Sequence, residues 1–260
     1  MDWPNLLAGI GVGLVGGFTS GLLGVSPGGG LTVFSVLLLG VEQHVAQGIS
    51  LIAQIPPTSL AGIYRYREKG SHSPLRWLIL LAAGFVVGGI AGAYGAGFVS
   101  GKALQWTYVA YLALLDVMLI LRRERKETDE AHTPASPDLH WAALLIVGLI
   151  AGLSSGFLGI GGGLATVVGL SAVLRVPQHQ AQMVSLVLSL IPTTLPSAFV
   201  YWQQGWSSPW SVLIGVIAGL AAGSDIGARL ANRVERAALH ATMVFFVSAM
   251  AIYMAFKALS

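Results

Sequence analysis

Residues 17–31 read GFTSGLLGVSPGGGL, and residues 152–164 read GLSSGFLGIGGGL. Each stretch is a glycine-rich break inside apolar sequence. Each is followed by a polar patch and a Pro-Thr pair: VEQHVAQGISLIAQIPPTSL from Val41 to Leu60, and VPQHQAQMVSLVLSLIPTTL from Val176 to Leu195. An offset of 135 residues carries Gln178, His179, Ala181, Gln182 and Ser185 onto Gln43, His44, Ala46, Gln47 and Ser50. It also carries Pro192, Thr193, Gly205 and Pro209 onto Pro57, Thr58, Gly70 and Pro74, and Gly219, Gly223 and Gly227 onto Gly84, Gly88 and Gly92. Apolar stretches that resemble each other by chance do not match Gln, His, Ser and Pro in order. The chain is therefore an internal duplication. Across the glycine break the copies are expected to differ by two residues, Ser26-Pro27 being extra in the first, with a shorter segment beyond the break restoring the register.

Of the 260 residues, 55% are hydrophobic and 10% charged, against about 25% charged in an ordinary soluble domain. So few charges cannot cover a water-facing surface, and the apolar runs recur along the whole length. The composition defines an integral membrane protein. The net charge of +3 does not indicate nucleic-acid binding, because the basic residues fall in short loops where they orient a protein in the bilayer. Without a cysteine there is no disulfide and no thiol chemistry. The opening MDWPN has no basic region before its apolar run, so that run is expected to be retained as a membrane segment rather than cleaved.

Ten apolar segments are expected, at 5–24, 29–41, 45–64, 76–99, 104–121, 139–158, 161–174, 178–201, 210–231 and 236–258. Most approach the ~20 residues of a spanning helix. Segments 29–41 and 161–174, each following a glycine break, reach only about 20 Å against a core of about 30 Å. They must end inside the membrane, tilt in a thinned bilayer or fold back. Trp3, Trp77, Trp106, Trp141, Trp202, Trp206 and Trp210 sit at segment ends, as an interfacial aromatic belt would. The stretch RRERKETDEAHTPASPD, Arg122 to Asp138, is polar and aperiodic. It divides the chain into a first membrane repeat (1–121), a cytoplasmic linker (122–138) and a second membrane repeat (139–260).

Loop charges give orientation. Arg65, Arg67, Lys69 and Arg76 flank one loop of the first half, whose counterpart 203–209 has no charge; Arg229, Arg233 and Arg236 flank a loop of the second half, whose counterpart has only Lys102. Placing basic loops in the cytoplasm puts equivalent loops on opposite sides. The expected fold is all-α and polytopic, built from two inverted-topology repeats of about five segments, with both termini outside.

A helix that starts inside a bilayer leaves N–H groups without intrahelical partners, and its dipole favours an anion there. Gly28, Gly29, Gly30 and Gly161, Gly162, Gly163 would let a ligand touch that backbone. Gln47 and Ser50 share a helical face with Gln54, as do Gln182 and Ser185 with Ser189. With Ser26, Thr58 and Thr193, these neutral donors form the candidate substrate site for a small anion with several oxygens. Gly84, Gly88, Gly92 and Gly219, Gly223, Gly227 recur every four residues, the spacing that lets two helices approach closely. Two acids lie within apolar segments, Asp116 and Asp225. Either is a candidate for proton coupling, and Asp225 also has Arg229 at ion-pair spacing. No metal-ligand spacing accompanies His44 or His179, and no cofactor or metal is expected.

The motifs G-x-x-S-G-x-L-G with GGG (Gly17 to Gly30, Gly152 to Gly163), A-Q-x-x-S-L (Ala46 to Leu51, Ala181 to Leu186) and Y-x-x-x-G (Tyr66 to Gly70, Tyr201 to Gly205) resemble the sulfite exporter TauE/SafE family, bacterial permeases for sulfite and organosulfonates. The resemblance covers nearly the whole chain. It implies a secondary transporter of a small sulfur-containing anion in a bacterial inner membrane. The family's usual proline shortly after the glycines is absent from both halves. A permease for another anion, such as a carboxylate, and a non-transporting membrane scaffold are the alternatives. An intramembrane enzyme is not expected, because no Ser has a His at helical spacing within an apolar segment. Oligomeric state, monomer or homodimer, is open at this level.

Overall fold

The computed structural model describes residues 2–23, 26–56, 74–122, 139–231 and 236–259. These form eleven α-helices and, among the described residues, no strand. In order they are α1 (Trp3–Leu23), α2 (Gly28–Leu39), α3 (Gln43–Ala53), α4 (Leu75–Gly97), α5 (Gly101–Arg122), α6 (Trp141–Leu158), α7 (Gly163–Val168, continued by a π-helical turn Gly169–Val173), α8 (Gln178–Leu188), α9 (Leu195–Gln203), α10 (Trp210–Ala231) and α11 (Arg236–Leu259). Trp3–Leu22, Leu75–Gly97, Trp141–Leu158 and Trp210–Leu230 are each long and apolar enough to cross a membrane. The outer surface is apolar: Leu7, Ile79, Phe245, Ile252 and Phe256 are all exposed, an arrangement that suits lipid rather than water.

The expected segments 45–64 and 178–201 are not continuous helices. α3 stops at Ala53, and α8 and α9 are separate, divided at residues 189–194. Pro192 explains the second break: it has no N–H to donate, and its ring excludes the carbonyl four residues earlier. Pro196 then falls in the first turn of α9, where a missing N–H costs nothing. The residues after 56 that would complete the first segment lie outside those described. Trp3, Trp106, Trp141, Trp202 and Trp210 are exposed, and one tryptophan departs from the expected belt. Trp77 is buried, packed with Leu81, Phe85 and Leu144 in an apolar core.

The two copies are in register without the expected gap. Helix starts Gly28 and Gly163, Gln43 and Gln178, and Gly101 and Arg236 all differ by 135 residues. The left-handed residues that follow the short helices, Gly40 (φ 64°) and Arg175 (φ 55°), are counterparts at the same offset. Ser26-Pro27 is therefore not an insertion. It stands where the second copy has Gly161-Gly162, whose φ values of 78° and 58° neither Ser nor Pro adopts readily.

Helices of one copy pack on helices of the other. Gly9, Gly13, Gly17 and Gly21 of α1 lie against the backbone of Val212, Val216, Leu220 and Ser224 of α10, in that order. A Cβ on any of the four would fall 2.2–2.4 Å from a carbonyl oxygen. In return Gly215, Gly219, Gly223 and Gly227 meet Leu6, Ile10, Leu14 and Phe18. α4 and α6 repeat this: Gly84, Gly88 and Gly92 lie on Leu145, Leu149 and Leu153, while Gly148, Gly152 and Gly156 lie on Leu81, Phe85 and Gly89. Small residues thus bring these backbones into direct contact, the packing that works in lipid, where apolar burial supplies no drive.

Ascending contacts make each pair parallel. α4 finishes beside His44 and Gln204, near Trp206 and the start of α10 at Trp210, so the two pairs run in opposite directions. α5 and α11, counterparts of each other, form a third pair. One apolar core joins α1, α2, α3 and α10; its counterpart joins α6, α7, α8 and α4.

Candidate functional site

The two glycine breaks meet. α6 ends at Gly159, whose φ of 69° and N–H bond to Ser155 O (2.7 Å) make a left-handed cap, a conformation glycine adopts without a Cβ penalty. The turn that follows lies on the start of α2. A Cβ on Gly28 would be 2.5 Å from the carbonyl carbon and oxygen of Ile160. A Cβ on Gly161 would be 1.8 Å from Gln54 Oε1. These glycines are dictated by backbone from one repeat seating on polar side chains and backbone from the other.

α3 supplies the polar face. Ser50 Oγ lies 3.1 Å from Gly28 O and 2.6 Å from Gly159 O, so one buried hydroxyl spans carbonyls of both copies. Gln54 Nε2 donates to Ser50 O (2.9 Å) and Ser50 Oγ (3.1 Å). Ser26 Oγ donates towards Gln54 Oε1 (3.1 Å) and Ile160 O (3.2 Å). In the second copy Ser185 Oγ donates to Gly163 O at 3.0 Å, repeating the bond from Ser50 to Gly28. Gln47 is fully buried beside Gly159. Its Oε1 accepts from Tyr201 Oη at 2.8 Å, and its Nε2 has no partner among the described residues. Tyr108 Oη of α5 donates to Gly29 O at 2.7 Å.

Ser26, Gly28, Gln47, Ser50, Gln54, Gly161, Gly163 and Ser185 are thus brought together. Gly29 lies at the margin through Tyr108, and Gly162 packs on the ring of Phe85. Gly30 faces Thr19 of α1. Gln182 is half-buried on α8. Ser189 is exposed, its hydroxyl turned back to Leu186 O at 2.7 Å. Thr193 is buried in the turn between α8 and α9, and Thr58 lies outside the described residues. Asp225 is exposed on α10 and paired with Arg229 at 2.7 Å. Asp116 accepts from Ser248 of α11, and its other oxygen is buried without a partner among the described residues.

Sequence reading did not include Tyr201, Tyr108 and Gly159 among the site residues. Tyr201 carried a signal in its Y-x-x-x-G motif. Tyr108 carried none, being one aromatic in an apolar helix.

The described side chains at this crossing are neutral: hydroxyls, amides and glycine backbone held at the meeting of two broken helices inside an apolar bundle. Such a centre suits reversible binding of a small polar solute, and the molecule is a polytopic α-helical membrane transporter. The sequence profile described as "Sulfite exporter TauE/SafE" matches residues 9–254. The chain belongs to that family. It is also similar to a "Probable membrane transporter protein" of Xylella fastidiosa (strain 9a5c), 29% identical over 186 residues that cover 70% of this chain and 68% of the relative. A second relative is the "Probable membrane transporter protein YdhB" of Bacillus subtilis (strain 168), 29% identical over 165 residues, or 61% of this chain and 64% of the relative.

Proposed function

We propose that the chain is a secondary transporter that exports a small sulfur-containing anion, sulfite or an organosulfonate, by alternating access around the crossing of its two glycine breaks. The observation that carries the reading is the buried Gln47–Ser50 face of α3, set against backbone of both copies with the Gln47 amide nitrogen lacking a partner. The family's description favours the sulfur oxyanion.

Neutral donors hold an anion loosely enough to release it. Moving a monoanion out of a cell that is negative inside gains about 2.3 kcal/mol per 100 mV, so export needs no coupling ion. Of the two acids, Asp116 is better placed for coupling, being partly buried between α5 and α11. Loss of proton dependence in Asp116→Asn would assign it that role, and unchanged flux would leave it a structural bond to Ser248.

The parallel pairs α1–α10 and α4–α6, running opposite ways, support two inverted repeats (1–121 and 139–260) joined by a cytoplasmic linker. We place the protein in the bacterial inner membrane with both termini outside. Alternating access would rock one repeat against the other.

Purified protein in liposomes with an internal sulfite or sulfonate probe tests the function. Flux is expected, inhibited by sulfonates and not by carboxylates. Absence of flux from folded protein, or inhibition by carboxylates alone, rejects the substrate. Gln47→Met, assayed well below half-saturation, keeps the length of the side chain but removes both the N–H donor and the acceptor of the Tyr201 bond. It should reduce anion flux at least tenfold, about 1.4 kcal/mol or more; undiminished flux would remove Gln47 from the site.

A further inference from the structure

We propose that Tyr201 is a positioning residue: its hydroxyl fixes the Gln47 amide so that the NH2 group faces the transported anion. The inference rests on the anion-transport reading above.

Gln47 is buried, and a buried primary amide has four hydrogen-bonding positions to fill. One is filled, by Tyr201 Oη on Oε1 at 2.8 Å. Nε2 is one of several buried polar atoms without a partner among the described residues, and it belongs to a side chain that lies at the crossing of the two glycine breaks; a buried donor left unpaired is costly. The stem of Gln47 has little freedom, because it lies against Gly159 so closely that a Cβ there would be 2.7 Å from Gln47 Cβ and 2.8 Å from its Cα and Cγ. What remains free is the amide's own rotation. Turned over, it would point its oxygen at an anion. The hydroxyl has one proton: given to Oε1 it leaves the NH2 towards the anion, whereas given to Gly156 O it would accept from Nε2 and turn the amide oxygen there, an arrangement that a bound anion repels.

Tyr201 is fully buried and its Oη also lies 3.0 Å from Gly156 O, at the broken end of α6. Its ring meets Trp206 edge-on, with centroids 5.3 Å apart, and its carbonyl accepts from Trp206 N at 3.0 Å. Trp206 in turn stacks on His44, with centroids 4.1 Å apart, one turn before Gln47 on α3. A ring held at its hydroxyl and along its contact with Trp206 presents that hydroxyl to one amide, which is preorganisation of a binding group. The matching positions at the offset of 135 also hold a tyrosine and a glutamine, Tyr66 of the first copy and Gln182 of the second.

A double-mutant cycle tests the assignment. Tyr201→Phe removes the hydroxyl alone, and Gln47→Ala removes the amide. In liposomes, Tyr201→Phe should raise the half-saturating sulfite or sulfonate concentration about tenfold, with maximal flux per folded molecule little changed. Gln47→Ala should do the same, and the double variant should be no worse than Gln47→Ala. Independent, multiplying effects would overturn the proposal. So would a fall in maximal flux at unchanged half-saturation, the mark of a merely structural tyrosine. The same cycle read as thermal unfolding in detergent, without any anion, should also be non-additive, and additivity there would deny the bond. Wild type that shows this stability coupling but moves no sulfite or sulfonate would reject the transported class and not the contact.

Discussion

At the scale of single residues, the centre of the molecule depends on hydroxyls that reach backbone carbonyls, among them those of Gly159 and Ile160 just past the end of α6. Helix termini leave such groups without intrahelical partners, and in lipid no water is available to take them. Ser50 is the most exposed to this logic in energetic terms, since it answers Gly28, Gly159 and Gln54 together. Ser50→Ala should lower stability by about 1–3 kcal/mol, read as a lower midpoint of thermal unfolding in detergent, while Ser50→Thr, which keeps the hydroxyl, should recover part of the loss. Much of this site was legible in sequence, because Gln47, Ser50 and Gln54 share one helical face and recur, in part, in the second copy. The direction of their bonds was not. A one-dimensional pattern shows which donors share a face, and cannot show that Ser50 and Ser26 reach across to backbone more than 100 positions away. Ser189 shows the limit of matching by position: it aligns with Gln54, yet its shorter side chain bonds its own helix and stays exposed.

At the scale of elements, glycine spacing is the most informative signal. The four-residue recurrence predicted close helix approach, and both parallel pairs deliver it along their length. The identity of the partners was not readable, since nothing local in α1 names α10 rather than α4. The pairs also supply a sharp contrast. Gly13→Ala would place a Cβ 2.2 Å from Val216 O, whereas Gly11, two residues earlier on the same helix, has nothing within 4 Å. Gly11→Ala should be neutral or stabilising by up to about 1 kcal/mol, because Ala loses less entropy in a helix. Gly13→Ala should force α1 off α10 and reduce the yield of monodisperse protein in size-exclusion chromatography. Equal behaviour of the two variants would argue against the packing. Apolar sequence runs through the break between α8 and α9, so hydropathy does not show it and Pro192 is its sequence mark. The expected two-residue gap does not hold because glycine run matches glycine run only in the sequence, while the backbone matches helix start Gly28 with helix start Gly163.

At the scale of the whole molecule, the halves are interleaved: the first helix of each packs on the last but one described helix of the other. Fragments 1–122 and 139–260, produced separately, should each fail to accumulate as folded protein, and co-production should restore an assembled pair that co-purifies through a tag on one half. A reporter active only outside the cytoplasm, fused after Ser260, should be active, and the same reporter inserted in 123–138 should be silent. The fold class was legible from composition and repeat alone, because a bilayer permits few architectures. The packing of α1 on α10 has a consequence during synthesis. The glycine ridge of α1 is made first, and the residues it fits, from Val212 onward, emerge about 200 positions later. At ribosomal speeds of about 5–20 residues per second, that is a wait of roughly 10–40 s with a naked small-residue groove lying in the bilayer. Neighbouring nascent chains present the same groove, and such grooves pair with one another. Until residues from Val212 onward are made, crowded translation therefore leaves each chain's groove open to its own siblings.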